Sequence, residues 1–256
     1  MNLLVTGAAG FIGSCYVRTL PASDASDALR VTVLDAVGTQ TLAALRHRVE
    51  PFVHLSTDEV HGPVDSGSWP EDRPLPPNSP DSASEAPSDL LALAYHRTHG
   101  LDVGVTRCSD NHGPHQSPEK VIPLSVTNLL DGRRVPLHGE GLDVRDWLHV
   151  EDHCQGVDPV RTKGRPGEVC NVGGGAELSN KELTGLLLEA CGADRDRVEH
   201  VDDRKGHALR HSVDWSKARE ELGHRPRRDF TTGLADTVAR YREDRAWWAP
   251  LQRRSA

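Results

Sequence analysis

The sequence predicts an α/β protein built on a doubly wound parallel sheet of reduced strand number, with a smaller mixed C-terminal lobe. Three observations predict this fold class. Apolar runs of strand length alternate with amphipathic stretches of helix length through the first half of the chain. The first run leads directly into a glycine-rich turn, and the second half breaks into shorter, mixed elements. Alternating strands and helices favour a parallel sheet covered on both faces.

The individual elements follow from these patterns. We expect strands at 2–6, 31–34, 51–56, 103–108 and 168–172, and an extended segment at 147–150. We expect helices after the glycine turn to about residue 20 and at 39–48, 83–98, 121–131, 180–191 and 230–244, with another beginning at 151. The Pro- and Ser-rich stretch 63–80 predicts a surface loop.

Composition and charge argue against several classes of protein. Hydrophobic residues make up 36% of the 256 residues and charged residues 27%, as in ordinary globular proteins. The net charge of -8, with acids and bases interspersed, argues against a nucleic-acid-binding surface. No apolar run reaches the ~20 residues that a membrane helix needs. The five cysteines form no CxxC pair, so we expect free thiols and a cytoplasmic location.

A glycine-rich turn follows the first strand. It has the spacing GxxGxxG between a strand and a helix, and an aspartate ends the second strand. Glycines permit a sharp turn and a close approach to a pyrophosphate, while the helix N-terminus favours the anion. An acid at this distance suits the adenosine ribose. The alternative is a tight turn without a ligand. We favour a Rossmann-like cofactor site formed by Gly7, Gly10, Phe11, Ile12, Gly13 and Asp35.

Several longer segments resemble one family, the dTDP-glucose 4,6-dehydratases, which are extended short-chain dehydrogenase/reductases. These segments are STDEVHG (56–62), RCSDNHGPHQSPEKVIPL (107–124), VRDWLHVEDHC (144–154), NVGGG (171–175) and DRKGH (203–207). The resemblance implies a lyase with bound NAD, which oxidises the sugar at C4, eliminates water across C5 and C6, and returns the hydride to C6. It also implies an NAD-binding domain at 1–120 and a sugar-nucleotide-binding lobe at 121–256 that crosses back to the sheet.

The resemblance assigns roles to particular residues. Thr57 would polarise the C4 oxygen, Asp58 would protonate the leaving C6 hydroxyl, and Glu59 would remove the C5 proton. A ketone at C4 makes the C5 proton acidic enough for a carboxylate to take. Outside this motif, Asp58 and Glu59 would indicate only a solvated turn at a strand end. The positions that match the family's sugar-nucleotide ligands are Asn111, Glu119, Lys120 and Arg145.

Two residues depart from the family's catalytic YxxxK pair. Asp81 replaces the tyrosine and Glu85 replaces the lysine, in the segment DSASE. Aspartate is too short to reach the C4 hydroxyl, and Glu85 raises the pKa of a neighbouring acid where lysine would lower it. We expect both carboxylates to crowd against Asp58 and Glu59. Pro87 follows in the same helix, although proline is tolerated only in the first turn.

The second departure is an internal gap. The family has two further βα units between the strand ending at Asp35 and the helix before STDEV, so about 60 residues are absent here. The remaining elements predict the strand order 2-1-3, with 51–56 beside 2–6. Because the absent units would form walls of the adenine and nicotinamide pockets, we expect weak retention of NAD.

Histidine is frequent, with 14 residues, whereas aromatic residues make up only 4%. His149 and His153 are spaced i, i+4, but the family has the same string without a metal, so we expect structural histidines and no metal site. The histidines that stand where relatives typically carry tyrosine are His61, His99, His112, His138, His200, His211 and His224.

Three hypotheses about function remain open. The chain is a dehydratase of nucleotide-sugar and deoxysugar metabolism with impaired or narrowed activity, a non-catalytic paralog that binds a sugar nucleotide or pairs with an active subunit, or the product of a decayed reading frame. The expected ligand is a dTDP-sugar. The expected assembly is a homodimer or a pair with an active relative, and we expect neither a nucleic-acid nor a membrane partner.

Overall fold

The computed structural model describes residues 2–6, 10–20, 30–34, 44, 46–49, 51–204, 206 and 208–252. Gly7, Asp35 and most of the helix expected at 39–48 lie outside the described residues. The strands are β1 (Asn2–Thr6), β2 (Arg30–Leu34), β3 (Phe52–Thr57), β4 (Val103–Cys108), β5 (Asp110–His112), β6 (Val135–His138), β7 (Val144–His149), β8 (Glu168–Val172), β9 (Ala176–Ser179), β10 (Val198–Val201) and β11 (Arg210–His211). The helices are α1 (Phe11–Thr19), α2 (Pro80–His99), α3 (Val121–Leu130), α4 (Val150–Lys163), α5 (Asn180–Cys191), α6 (Ser216–Glu221), α7 (Phe230–Glu243) and α8 (Arg245–Gln252).

Parallel strands form the centre of the fold. β1 pairs with β2, and β3, β4 and β8 form a parallel sheet in the order β3-β4-β8. β8 comes from the second half of the chain, which therefore crosses back to this sheet. Parallel strands with flanking helices confirm the predicted fold class.

The second half of the chain mixes strand directions. β7 pairs in parallel with β5 and β11 and antiparallel with β9, while β6 pairs in parallel with β10. Most of these strands are only two to four residues long. A hydrophobic cluster beside them includes Ile122 of α3, Leu187 of α5 and Trp248 of α8. The C-terminal helices therefore close a second core.

The predicted strand order 2-1-3 is wrong. Among the described residues, β1 is hydrogen-bonded to β2 and β3 to β4, and no ladder joins β1 to β3. Side-chain packing links the two sheets instead. Val5 of β1 and Val53 of β3 pack on the same buried cluster, which includes Val157 of α4. Because α4 contacts both α1 and β3, the helix layer rather than strand pairing sets the place of β1.

Helix α2 carries the DSASE segment and begins earlier than predicted. Ser79 caps the helix, and Pro80 is its first residue. Pro87 therefore lies in the helix interior, outside the first turn in which a proline is tolerated. It has no N–H to donate to the carbonyl of Ala83, and its ring crowds that carbonyl. The carbonyl of Ala83, between Asp81 and Glu85, therefore lacks its usual helical hydrogen bond.

We expect Pro87→Ala to raise the free energy of unfolding by about 2–3 kcal/mol, because it restores that hydrogen bond and relieves the steric conflict. Urea denaturation followed by circular dichroism measures the change. Pro80→Ala is the matched control, since proline at the first helical position costs little. Equal effects of the two substitutions would contradict the interior assignment of Pro87.

Candidate functional site

The candidate catalytic residues lie where β3 ends. Thr57 is the last residue of β3 and the N-cap of a 3₁₀ helix, Asp58–His61. Its hydroxyl accepts a hydrogen bond from the Glu59 N–H at 3.3 Å and donates to Oδ1 of Asp58 at 3.3 Å. Gly62 ends the helix with φ of 66°, and a Cβ there would clash with the Pro76 carbonyl oxygen. The turn therefore places the three candidate side chains at the carboxyl edge of the sheet.

Asp58 is buried in an acidic environment. It is 4% exposed, and burial raises its pKa well above the usual range. The neighbouring carboxylates of Asp110 and Glu59 raise it further, whereas Arg145 opposes the shift. Oδ2 of Asp58 has no hydrogen-bond partner among the described residues. The side chain therefore favours the protonated form with a free O–H, the state that a general acid requires.

Arg145 faces these carboxylates from β7. Its Nη1 donates to the carbonyl oxygens of Val144 and Ala208 at 2.8 and 2.9 Å, and its Nε lies 3.8 Å from Oδ2 of Asp110. Burial raises the pKa of Asp110 to about 6, an effect that Arg145 opposes. The backbone thus holds the guanidinium in place beside the acidic cluster, where it can bind an anion.

Asp146 is, like Asp110, a buried acid near the β3 edge that the sequence analysis did not select. It is 1% exposed, and its Oδ2 accepts a hydrogen bond from the Gly174 N–H at 3.1 Å. Burial raises its pKa to about 6. Asp110 and Asp146 each directly adjoin a residue that the resemblance had selected, Asn111 and Arg145 respectively. Adjacency to a matched position at a strand end is the signal that would have found them.

We expect Asp146→Asn to stabilise the protein by about 2–3 kcal/mol at pH 8, since a buried carboxylate with a raised pKa is destabilising when ionised. The folded-state pKa of about 6 lies above the unfolded value, so the gain shrinks as the pH falls below 6 and vanishes near 4. Thermal unfolding across this range measures it. The exposed Asp72→Asn is the control, and a gain that persists at pH 4 would refute the assignment.

The predicted ligands of the sugar nucleotide lie near the same edge. Asn111 donates from Nδ2 to the Ser109 carbonyl at 2.9 Å, and its Oδ1 lies 3.0 Å from Nδ1 of His153. Lys120 is exposed at the N-cap of α3, and its charge lowers the pKa of both Asp110 and Glu85. Glu119 is exposed beside it. The structure therefore places Lys120 between the β3 edge and α2.

Asp81 and Glu85 are exposed on the first turns of α2. Partial burial raises the pKa of Glu85, and the carboxylates of Glu59 and Asp89 add to the effect. Glu85 therefore lies within electrostatic reach of the β3 turn, as the crowding hypothesis requires. A positive charge at this position would act on the same acids in the opposite direction.

A buried ion pair anchors α2 to the sheet. Nε of Arg107 on β4 donates to Oδ2 of Asp89 at 2.8 Å, and both residues are almost fully buried. Arg107 also donates to the Glu71 carbonyl at 3.1 Å. Burial alone would raise the pKa of Asp89, but His54 and Arg107 hold it below its usual range. The position of Glu85, one turn before Asp89, is thereby fixed relative to β4.

The start of α1 presents free backbone donors. Gly10 is the exposed N-cap, with an extended backbone, and no side chain of the described residues caps the first turn. Phe11 and Ile12 instead pack on the cluster between α1 and α4, and Gly13 lies in the first turn. Uncapped N–H groups at a helix N-terminus form a site for an anion.

Several histidines are buried or cap a helix. His149 caps α4, where its Nδ1 accepts a hydrogen bond from the Glu151 N–H, and burial lowers the pKa of His153 to about 4 and that of His112 to about 3. These rings are neutral at pH 7. Among the histidines at tyrosine positions, four are buried: His61, His112, His211 and His224. No cluster of three or more potential metal ligands occurs in the described part of the chain.

Within the same described ranges, no helix is long and apolar enough to cross a membrane.

Comparison with known proteins supports a single family. The sequence profile described as GDP-mannose 4,6 dehydratase matches residues 23–237. The dTDP-glucose 4,6-dehydratase of Streptomyces antibioticus is 53% identical over 324 aligned residues, which cover 100% of this chain and 97% of that protein. The dTDP-glucose 4,6-dehydratase of Actinoplanes sp. is 62% identical over 214 residues, which cover 83% of this chain and 67% of that protein. The first alignment exceeds the 256 residues of this chain by 68, which confirms the internal shortening.

Solved structures agree. DesIV, a dTDP-glucose 4,6-dehydratase from Streptomyces venezuelae with NAD and TYD bound, superposes with a TM-score of 0.90 at 44% identity, covering 98% of this chain and 100% of that one. A Bacillus anthracis dTDP-glucose 4,6-dehydratase in complex with NAD superposes with a TM-score of 0.87 at 36% identity, covering 98% and 99%.

Proposed function

Because this chain belongs to the dTDP-glucose 4,6-dehydratase family, we propose that it binds a dTDP-sugar and retains the family's acid–base step while its oxidation step is impaired. The observation that carries the proposal is the contrast between two pairs of residues. Asp58 and Glu59 lie in a 3₁₀ turn where burial raises the pKa of Asp58 well above its usual range, whereas Asp81 and Glu85 are exposed carboxylates on α2. The protein would be an impaired lyase of cytoplasmic deoxysugar metabolism.

The retained step needs only protons. When the sugar already carries a ketone at C4, Glu59 can remove the C5 proton, and the Thr57 hydroxyl can donate a hydrogen bond to the C4 oxygen as enolate charge develops there. Protonated Asp58 can deliver its proton to a C6 hydroxyl as that group leaves. Arg145 and Lys120 supply two cations suited to a diphosphate.

The residues of this chain suit the pyrophosphate of NAD but not its nicotinamide end. The uncapped first turn of α1, entered from Gly10, suits a pyrophosphate. At the nicotinamide end the family's tyrosine and lysine are replaced by Asp81 and Glu85, and no ladder closes the sheet between β1 and β3 in the described residues. Two carboxylates neither grip a ribose as lysine does nor take the C4 hydroxyl proton as a tyrosinate does. We therefore derive no hydride step for this chain.

The alternative is a non-catalytic binding subunit. Leu90 and Leu91 lie side by side on α2 and are 57% and 53% exposed, which favours a partner that covers this helix, either a second copy or an active relative. Such a subunit would bind the nucleotide sugar but would not move protons at C5.

Exchange of the C5 proton distinguishes a protein that retains the acid–base step from a non-catalytic binding subunit. A dTDP-4-keto-6-deoxy sugar is incubated with the protein in D₂O, and the H5 signal is followed by proton NMR. We expect H5 to be lost faster than in buffer, because Glu59 removes it and solvent deuterium replaces it. The exposed Asp72→Asn variant should exchange at the same rate. Ligand binding, seen by saturation transfer, without any exchange would refute the retained step and favour the binding subunit.

A further inference from the structure

Two buried cysteines face each other between α1 and α4. Cys15 is 4% exposed and Cys154 is 1% exposed. Both belong to one buried cluster between the two helices, and Sγ of Cys154 lies 3.8 Å from the carbonyl oxygen of Ile12, one turn before Cys15. The sulfur of Cys154 therefore contacts the first turns of α1.

Helix packing keeps the two thiols together. On α1 the hydroxyl of Tyr16, the residue that follows Cys15, donates to Oδ1 of Asp158, one turn after Cys154 on α4, at 3.3 Å. Val150 and Val157 pack in the same buried cluster on either side of Cys154. The packing of α1 against α4 therefore holds the two cysteines close together.

This contact lies between the β1-β2 sheet and the β3-β4-β8 sheet. α1 follows β1, whereas α4 packs against β3, β4 and β8, and no strand ladder joins β1 to β3 in the described residues. A bond between the two cysteines would therefore link the two sheets covalently where backbone hydrogen bonds do not.

We propose that Cys15 and Cys154 form a reversible disulfide when the protein meets a peroxide, and that this bond locks the helix at the start of the cofactor site onto the central sheet. The thiolate of Cys15 attacks one peroxide oxygen, giving a sulfenic acid and releasing water. The thiol of Cys154 then attacks that sulfur, forming the S–S bond and releasing a second water. The two thiols lose two electrons and two protons, and the peroxide is reduced to water.

The surroundings of the two cysteines favour Cys15 as the thiol that reacts first with the peroxide. Arg18 lies beside Cys15, and its charge lowers the pKa of that thiol. Cys15 is also the more exposed of the two, at 4% against 1% for Cys154, so a peroxide reaches it first. The thiols of Cys108 and Cys170 donate to the carbonyl oxygens of Ser56 and Asn171, and Cys191 lies near Arg242. In the described part of the chain, none of these three cysteines is paired with another cysteine.

Peptide mapping tests the proposal on the unaltered protein. Reduced protein is treated with hydrogen peroxide, blocked with N-ethylmaleimide and digested with trypsin without reduction. We expect a cross-linked species of peptides 1–18 and 146–161, lighter than their sum by two hydrogens, and a fall in titratable thiols from five to three. Dithiothreitol should restore all five. Five unchanged thiols, a different cross-link, or only over-oxidised Cys15 would overturn the proposal.

Thermal unfolding gives a second readout. Because the bond closes a long loop, we expect oxidation to raise Tm by on the order of 10 °C. Cys15→Ser should abolish both the cross-link and the shift, whereas the control Cys191→Ser should keep both. An equal shift in the two variants would show that the stabilisation does not come from this bond. If Cys15→Ser fails to fold, the peptide map alone decides.

Discussion

Conversion of dTDP-glucose by this protein should be at least ~10³-fold slower than conversion by a complete relative. This is the scale expected when a positioned base is lost together with its electrostatic partner. Asp81 and Glu85 are exposed on α2. If they stand at the family's tyrosine and lysine positions, as we propose, Asp81 is too short to take the C4 hydroxyl proton and Glu85 places a negative charge where a positive one is needed. The alkaline absorbance of the 4-keto-6-deoxy product measures the rate.

Restoring tyrosine at position 81 and lysine at position 85 shows whether these two substitutions are the only defect. We expect Asp81→Tyr combined with Glu85→Lys to recover little activity, because no ladder joins β1 to β3 in the described residues and Pro87 still removes one hydrogen bond from the same helix. Asp72→Tyr, a matched change on an exposed loop, is the control. Recovery to the rate of a complete relative would locate the whole defect in two side chains and contradict a role for the shortened sheet.

Proton exchange at C5 should depend on Glu59 but not on Asp58. Glu59→Gln removes the base, so we expect a loss of ~10²–10⁴-fold. Asp58→Asn should change the rate only a few-fold on a 6-deoxy substrate, because no hydroxyl leaves from C6. Both rates come from the decay of the H5 signal in D₂O.

The two variants also check each other. Both carry a neutral amide in the same 3₁₀ turn, so a local loss of structure would affect them equally. Thr57→Ser, which keeps both the cap and the hydroxyl, should retain exchange. A large loss in Asp58→Asn with normal exchange in Glu59→Gln would reverse the roles assigned here.

Much of the fold could be predicted from local patterns. The predicted helix 180–191 and strand 168–172 coincide with α5 and β8, because their boundaries carry strong local signals. The capping box of Ser179 and Glu182 marks the start of α5, and Gly192 ends it in a left-handed conformation. The short strands of the second half were missed, since two to four residues are too few to show a period.

The place of β1 could not be predicted in the same way. Its neighbour depends on how side chains fill the space between α1, α4 and β3, which no local pattern encodes. The site shows the same division. The candidates Thr57, Asp58 and Glu59 could be proposed from their motif, whereas the acids Asp110 and Asp146 became candidates only when β5 and β7 brought them to the β3 edge.

The central claim is that proton chemistry survives where oxidation does not, and one preparation can test both. One portion of the protein is supplied with NAD and dTDP-glucose while the alkaline absorbance of the 4-keto-6-deoxy product is followed, and a second portion receives the 4-keto sugar in D₂O. We expect no 4-keto-6-deoxy product in the first portion and loss of H5 in the second. Product formed at the rate of a complete relative, or an H5 signal as stable as in buffer, would contradict the account.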